Sequence, residues 1–310
     1  MLRYTLQRIL YSLPALLGVI ALSFLLLRLI PGDPVDTILG EHASESDRQA
    51  LRVQLGLNQS VVTQFASYVG KLSRLDLGVS LHTHSPVSES LIGNFPATLE
   101  LAAAALLLAL AWGLPLGVWS AVRRSSRVDR TFSSLALIGM STPGVFLGPM
   151  LIYIFAIQLG WFPVSEAGGW ESLVLPAISL ALPLGSTLLR MTRMSVLEIV
   201  TQDYIRTAHA KGLSNFTVYF SHALSNALVP VVTIFGLQLG AMLTGTVITE
   251  TIFDRPGLGS LLYSSIQRRD YPVVQACVLT VASLYVLINL LTDLTYGAVN
   301  PKIRKSGESS

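Results

Sequence analysis

The chain has 310 residues, 51% of them hydrophobic and only 13% charged, where a soluble domain carries about a quarter charged residues. Its mean hydropathy is +0.59 and its formal charge +3, and its apolar residues are gathered into long blocks that a soluble core does not require. An ordinary soluble domain is therefore excluded. The lack of a dense Lys/Arg run interleaved with aromatics argues against nucleic-acid binding, and one cysteine, Cys277, excludes an intramolecular disulfide framework.

A helix needs about 20 mostly apolar residues to cross roughly 30 Å of hydrocarbon. The first such block runs from Ile9 to Ile30, behind Arg3 and Arg8. It is too long for the apolar core of a secretory signal, and Pro31-Gly32-Asp33-Pro34 is not a small-residue cleavage site. Residues 1–30 thus read as a retained N-terminal span. Residues 31–96 are polar and read as a small extracytoplasmic insertion. Within it, Ser44 to Leu57 fits a short amphipathic helix capped by Ser44 and closed near Gly56, and Val61 to Leu75 fits a second. His82 and His84 would share one face of a strand, but two imidazoles without a third ligand do not make a metal site. No metal is expected.

Five more spans follow, at Thr98 to Val122, Thr131 to Leu159, Leu173 to Met191, Ala227 to Thr249 and Val273 to Tyr296. Residues 97–300 form the core and 301–310 a cytoplasmic tail. The span from Thr131 to Leu159, third of the six, is interrupted by Ser141-Thr142-Pro143, and the fourth, Leu173 to Met191, holds Pro176 and Pro183, which neighbours must accommodate. Arg123, Arg124, Arg127 and Arg130 crowd one loop, Arg190, Arg193, Arg206 and Lys211 another, whereas Gly160 to Ser172 has Glu166 and Glu171 and no base. The excess of bases on alternate loops puts both termini in the cytoplasm. The expected fold is an all-α membrane protein of six transmembrane helices.

Polar residues at membrane depth are costly and carry a functional default. Asn289 and Asp293 share a face of the last span, and either line a pathway or clamp a neighbouring helix; Gln238 has the same two readings. Ser141 and Thr142 before Pro143 either line a pathway or satisfy a kinked backbone. Gly236 and Gly240 permit close helix approach. Glu250 and the turn Asp254-Arg255-Pro256-Gly257 close the outer end of the fifth span.

The loop of about residues 196–225 is the most informative. Asp203 can cap a short helix from Tyr204 to Lys211, and Gly212 can end it in a left-handed turn. Ala208 and Ala210 keep its surface slim, and Arg206 and Lys211 give it a basic rim. This segment resembles the loop of permease subunits of ATP-binding cassette (ABC) importers, in the form used by the dipeptide, oligopeptide and nickel branch. Arg206, Thr207 and Ala208 take the places of the wider family's Glu-Ala-Ala, and Gly212 its glycine, so a base replaces the acid. LIPGDP at 29–34, LDLGVS at 75–80, PATLELA at 96–102, TPG at 142–144, ETIFDRPGLG at 250–259, RRDYPVVQ at 268–275 and NPKIR at 300–304 agree with that branch.

The resemblance implies a type I importer permease for dipeptides or oligopeptides. Nickel, metal chelates or glutathione are alternative solutes, and a secondary transporter without ATPases is the rival class. It further implies a second, related permease, two P-loop ATPase subunits and an extracytoplasmic solute-binding protein as partners, with Asp203, Tyr204, Arg206, Thr207, Ala208, Ala210, Lys211 and Gly212 coupling to an ATPase. No phosphate-binding G-x-x-x-x-G-K-[ST] occurs. ATP and magnesium would be bound by the partners, with no cofactor and no catalytic residue in this chain. Candidate pathway or gate residues are Ser141, Thr142, Pro143, Gln238, Glu250, Asn289 and Asp293.

Overall fold

The computed structural model describes residues 2–29, 35, 39, 44–54, 56–165, 169–214 and 216–299. Most of the LIPGDP block, Glu166 and the whole of NPKIR and the tail lie outside them. The described residues are helical; among them the only β pairing is an isolated antiparallel bridge between Val79 and Pro86. In chain order the helices are α1 (Leu2–Leu29), α2 (Glu45–Gln54), α3 (Val61–Leu72), α4 (Val87–Val122), α5 (Arg127–Ser141), α6 (Gly144–Leu151), α7 (Glu171–Val200), α8 (Asp203–Ala210), α9 (Leu224–Ile252), α10 (Leu258–Gln267) and α11 (Tyr271–Val299). A π-helical stretch, Ile152–Gln158, extends α6, and another, Thr217–Ala223, leads into α9.

Four helices contain apolar stretches long enough to cross a bilayer, at Arg8–Leu25, Val87–Val122, Glu171–Val200 and Tyr271–Thr295. A fifth follows if α5 and the α6 segment are one broken span, bent by 104°. Several boundaries differ from the sequence expectation. Helix α4 begins at Val87 and runs 36 residues through Gly93, Asn94 and Pro96, with the Asn94 side chain turned back to donate to the Ser90 carbonyl at 2.8 Å. Helix α7 extends to Val200, so Arg190 and Arg193 sit on a helix and not in a loop. The segment with His82 and His84 is a turn, not a strand, with His84 at φ 55°.

The chain divides into two compact units. One holds described residues of Met1–Ile9, Thr98–Arg255 and Leu287–Ser310; the other, Leu10–Ala97 and Pro256–Val286. In the first unit α7 packs most extensively against α9 and α5. Small side chains set the spacing: Ala102, Ala105 and Ala109 of α4 meet Ala181 and Leu184 of α7 and Met242 of α9. A Cβ on Gly117 would lie 2.7 Å from Thr192 Cβ and 2.8 Å from the Leu189 carbonyl, so α4 approaches α7 at backbone distance there. Gly236 likewise abuts Thr292 of α11, an internal packing contact.

In the second unit the insertion is anchored by aromatic contacts. Phe24 of α1 meets Phe65 and Tyr68 of α3, with ring centroids 5.1 and 5.8 Å apart. Burial pushes the Tyr68 hydroxyl pKa up, partly offset by its hydrogen bond with Ser23. Helix α2 is capped by Ser44, whose hydroxyl accepts from the Asp47 amide at 3.2 Å. Ser80 donates to the buried Asp270 carboxylate, which also accepts from the Leu81 amide at 3.1 Å. The LDLGVS and RRDYPVVQ blocks therefore meet side chain to side chain.

Candidate functional site

Helix α8 has two unlike faces. Ile205 and Ala208 are buried, in a cluster with Val118 and Ala121 of α4, Val196 of α7, Val218 and Ala223 of the π-helical stretch and Ala227 of α9. Asp203, Tyr204, Arg206, Thr207, Ala210, Lys211 and Gly212 are exposed. Ala208 thus serves as an anchor and not as part of the slim outer surface expected of it. The start also differs: Gln202 is the N-cap and no side chain caps the helix, while Asp203 is its first residue. Near the opening turn Thr207 Oγ1 donates to the Asp203 carbonyl at 3.0 Å, and Arg206 pairs loosely with Asp203 at 3.8 Å in full solvent. Such an exposed pair contributes little and leaves the guanidinium free to engage another group.

The end of α8 follows the sequence expectation closely. The Gly212 amide donates to the His209 carbonyl at 2.9 Å and the Leu213 amide to the Ala208 carbonyl at 3.4 Å. That double closure needs a left-handed residue, and Gly212 has φ +77°.

A cavity of about 380 Å³ lies in the same unit, lined by the ends of α5 and α6 (Met140, Gly144, Val145), by α7 and by α9. Its polar lining comes from Ser179, Thr187, Gln238 and Thr249. Gln238 donates to Thr187 Oγ1 at 3.3 Å, bridging α9 and α7. Of the sequence-selected pathway residues, only Gln238 lines this cavity. Ser141, Thr142 and Pro143 form the break beside it, where the Ile138 carbonyl accepts both the Thr142 amide at 3.0 Å and Thr142 Oγ1 at 2.8 Å. Glu250 is fully buried, two residues from the end of α9 at Ile252. Its carbonyl accepts from the Arg255 amide at 2.9 Å, and Arg255, also buried, reaches Glu100 of α4 at 2.5 Å. Asn289 is half-buried. Asp293 forms an ion pair with Arg8 of α1 at 3.0 Å.

A buried carboxylate with several bonds, Asp129, was not singled out from the sequence. Asp129 of α5 is 3% exposed. Arg193 of α7 grips it with Nε and Nη2 at 2.6 and 2.8 Å; Ser120 Oγ donates at 2.6 Å and the Ser125 amide at 2.9 Å. Ser125 itself adopts φ 63°. The available signal was a lone acid within an otherwise basic loop.

Comparison with known proteins adds the family. Residues 113–305 match the model of the binding-protein-dependent transport system inner membrane component, and residues 1–102 match the N-terminal model of such a membrane component. The chain is 41% identical over 304 residues to the glutathione transport system permease protein GsiC of Salmonella typhi. It is 43% identical over 334 residues to the di/tripeptide transport system permease protein DppB of Pseudomonas aeruginosa, and 42% over 337 to the dipeptide transport system permease protein DppB of Escherichia coli K12. Each alignment covers 98% of this chain and 99% of the relative. A chain from inward-facing crystals of the MetNI methionine ABC transporter superposes with a TM-score of 0.59 at 21% identity, covering 68% of this chain and 96% of that one, a likeness of fold. With full-length relatives above 40% identity and a family model matched over most of its core, this chain belongs to the binding-protein-dependent transport family and is an inner-membrane permease component of an ABC importer.

Proposed function

We propose that this chain forms half of a translocation pathway for dipeptides or short oligopeptides, together with a second, related permease. Two P-loop ATPase subunits would bind ATP and magnesium and supply the hydrolysis, and an extracytoplasmic binding protein would deliver the solute. The solute class is supported by full-length identity to relatives whose names specify di- and tripeptides or glutathione, itself a tripeptide-like molecule. The cavity volume of about 380 Å³ falls within the range of roughly 300–1,000 Å³ of small-molecule sites, and its hydroxyl and amide lining suits an uncharged or zwitterionic peptide backbone.

In this reading α9, 29 residues long and largely apolar, is the sixth span beside the four intact ones and the broken one. Both termini are cytoplasmic, residues 31–96 lie outside the membrane, and the Glu100–Arg255 pair with Glu250 belongs to the outer gate or the binding-protein contact. Helix α8 docks into an ATPase subunit. The observation that carries this assignment is its division into a buried Ile205/Ala208 anchor and an exposed remainder.

The test is reconstitution of the complete four-subunit complex with its binding protein in vesicles, followed by uptake of a labelled dipeptide. Uptake is expected only with ATP and with both ATPases present. Accumulation in their absence would overturn the proposal. Labelled glutathione taken up in place of the dipeptide would move the solute to the second reading.

A further inference from the structure

From the geometry around Asp129 we infer that the Asp129–Arg193 pair is a positioning device that makes α5 follow α7 during the transport cycle, and so carries motion received at α8 to the break beside the cavity. The inference rests on the coupling role proposed for α8. Displacement of α8 reaches α7 directly, through Thr201-Gln202 and the shared cluster of Val196 with Ile205 and Ala208. No such covalent path leads to α5. Its N-terminal end is held to α7 by the two-pronged grip of Arg193 on Asp129, to the end of α4 by Ser120, and to the turn after α4 by the Ser125 amide.

Both carboxylate oxygens are thereby occupied, and the group is buried. A buried pair of this kind fixes geometry more than it adds net stability, and breaking one side leaves an uncompensated charge. From Asp129, α5 runs on to Ser141, about 18 Å at 1.5 Å per residue, and ends at the 104° break whose neighbours Met140, Gly144 and Val145 line the cavity. A rigid α5 tied at its base thus acts as the arm that moves the cavity's α6 side with α7.

A second contact farther along the arm allows a test that does not depend on the charges. A Cβ placed on Gly139 of α5 would stand 3.2 Å from Ser186 Cβ of α7, a few tenths of an ångström short of the usual range in disulfides, roughly 3.5–4.5 Å. The native Cys277 is buried and leaves a quiet background.

In the full reconstituted complex, oxidised Gly139→Cys/Ser186→Cys should keep dipeptide uptake within about twofold of its reduced form, because the two helices do not need to separate. Asp129→Asn should lower uptake by at least about tenfold while ATP hydrolysis stays within about twofold, the signature of lost coupling rather than lost assembly. In the triple variant, oxidation should restore uptake that reduction abolishes. Uptake blocked by the disulfide alone would show that α5 and α7 move apart and would overturn the inference. So would an Asp129→Asn complex with unchanged uptake per ATP, or one whose loss the disulfide fails to rescue. Cross-linking of Tyr204→Cys to the ATPase subunit, measured in the same preparations, separates the two claims: its absence from otherwise unaltered complex would sink the α8 docking role, whereas its presence with the outcomes just named would sink only the role of the pair.

Discussion

Gly212 has φ +77° and open space where a Cβ would stand, so replacement there acts through backbone conformation and not through a clash. A β-branched residue in the left-handed region costs about 1–2 kcal/mol, enough to unravel the closing turn of an eight-residue helix. Gly212→Val is expected to reduce uptake at least about tenfold at normal membrane abundance, and Gly212→Asn to retain most of it, since asparagine tolerates that conformation. Equal uptake for both, measured against immunoblotted protein, would show that the turn is irrelevant to docking. Gly212 was legible because the requirement is local: a short polar helix followed by glycine. Asp129 and Arg193 were not, because their pairing joins positions 64 residues apart, and each alone looks like another charge beside a membrane. Ala208 was misplaced for a related reason. Helical spacing puts it one turn from Ile205, but only the packing of α4, α7 and α9 decides which side is inward.

At the scale of elements, the turn at 78–86 is closed by its own backbone bonds, among them Ser80 amide to Ser85 carbonyl at 3.0 Å, and clasped from outside by one carboxylate. Asp270 accepts from the Ser80 hydroxyl and the Leu81 amide, while the Ser80 hydroxyl in turn accepts from the amides of His82 and Thr83 at 3.2 and 3.0 Å. Removing the acceptor leaves buried donors unpaired, a cost of about 1–3 kcal/mol. Asp270→Ala should therefore lower the thermal midpoint of the detergent-solubilised protein and hasten proteolysis within 73–86, with a smaller effect for Asp270→Asn. Unchanged cleavage kinetics would remove the clasp from the account. Long apolar helices were easy to find, four intact and a fifth as a broken pair, since such blocks are forced by the hydrocarbon thickness. Their ends were not. Pro96 marks no boundary because its helix has begun at Val87, and Arg190 and Arg193 continue α7 where charge alone suggested a loop. The break at Ser141-Thr142-Pro143 was visible as a composition change, but its 104° bend is set by the extended backbone of Thr142 and Pro143.

For the molecule as a whole, the proposed six-span arrangement makes a directional statement. Arg124→Cys should react with a membrane-impermeant thiol reagent only from the cytoplasmic side, and Ser165→Cys only from the opposite side, in intact cells compared with inverted vesicles. Both residues are exposed and the native Cys277 is buried. Labelling of both from one side would refute the span count. Family blocks far apart in the sequence meet in space: PATLELA reaches ETIFDRPGLG through Glu100 and Arg255, as LDLGVS reaches RRDYPVVQ through Ser80 and Asp270. The separation of duties within α8 reaches beyond this chain. Since the side chains that bolt it to its own protein, Ile205 and Ala208, are not those it displays, Tyr204, Arg206 and Ala210, the displayed set can be rewritten without loosening the mount. In the docking role proposed for α8, such a mount would let the motor change over evolution while the channel is kept.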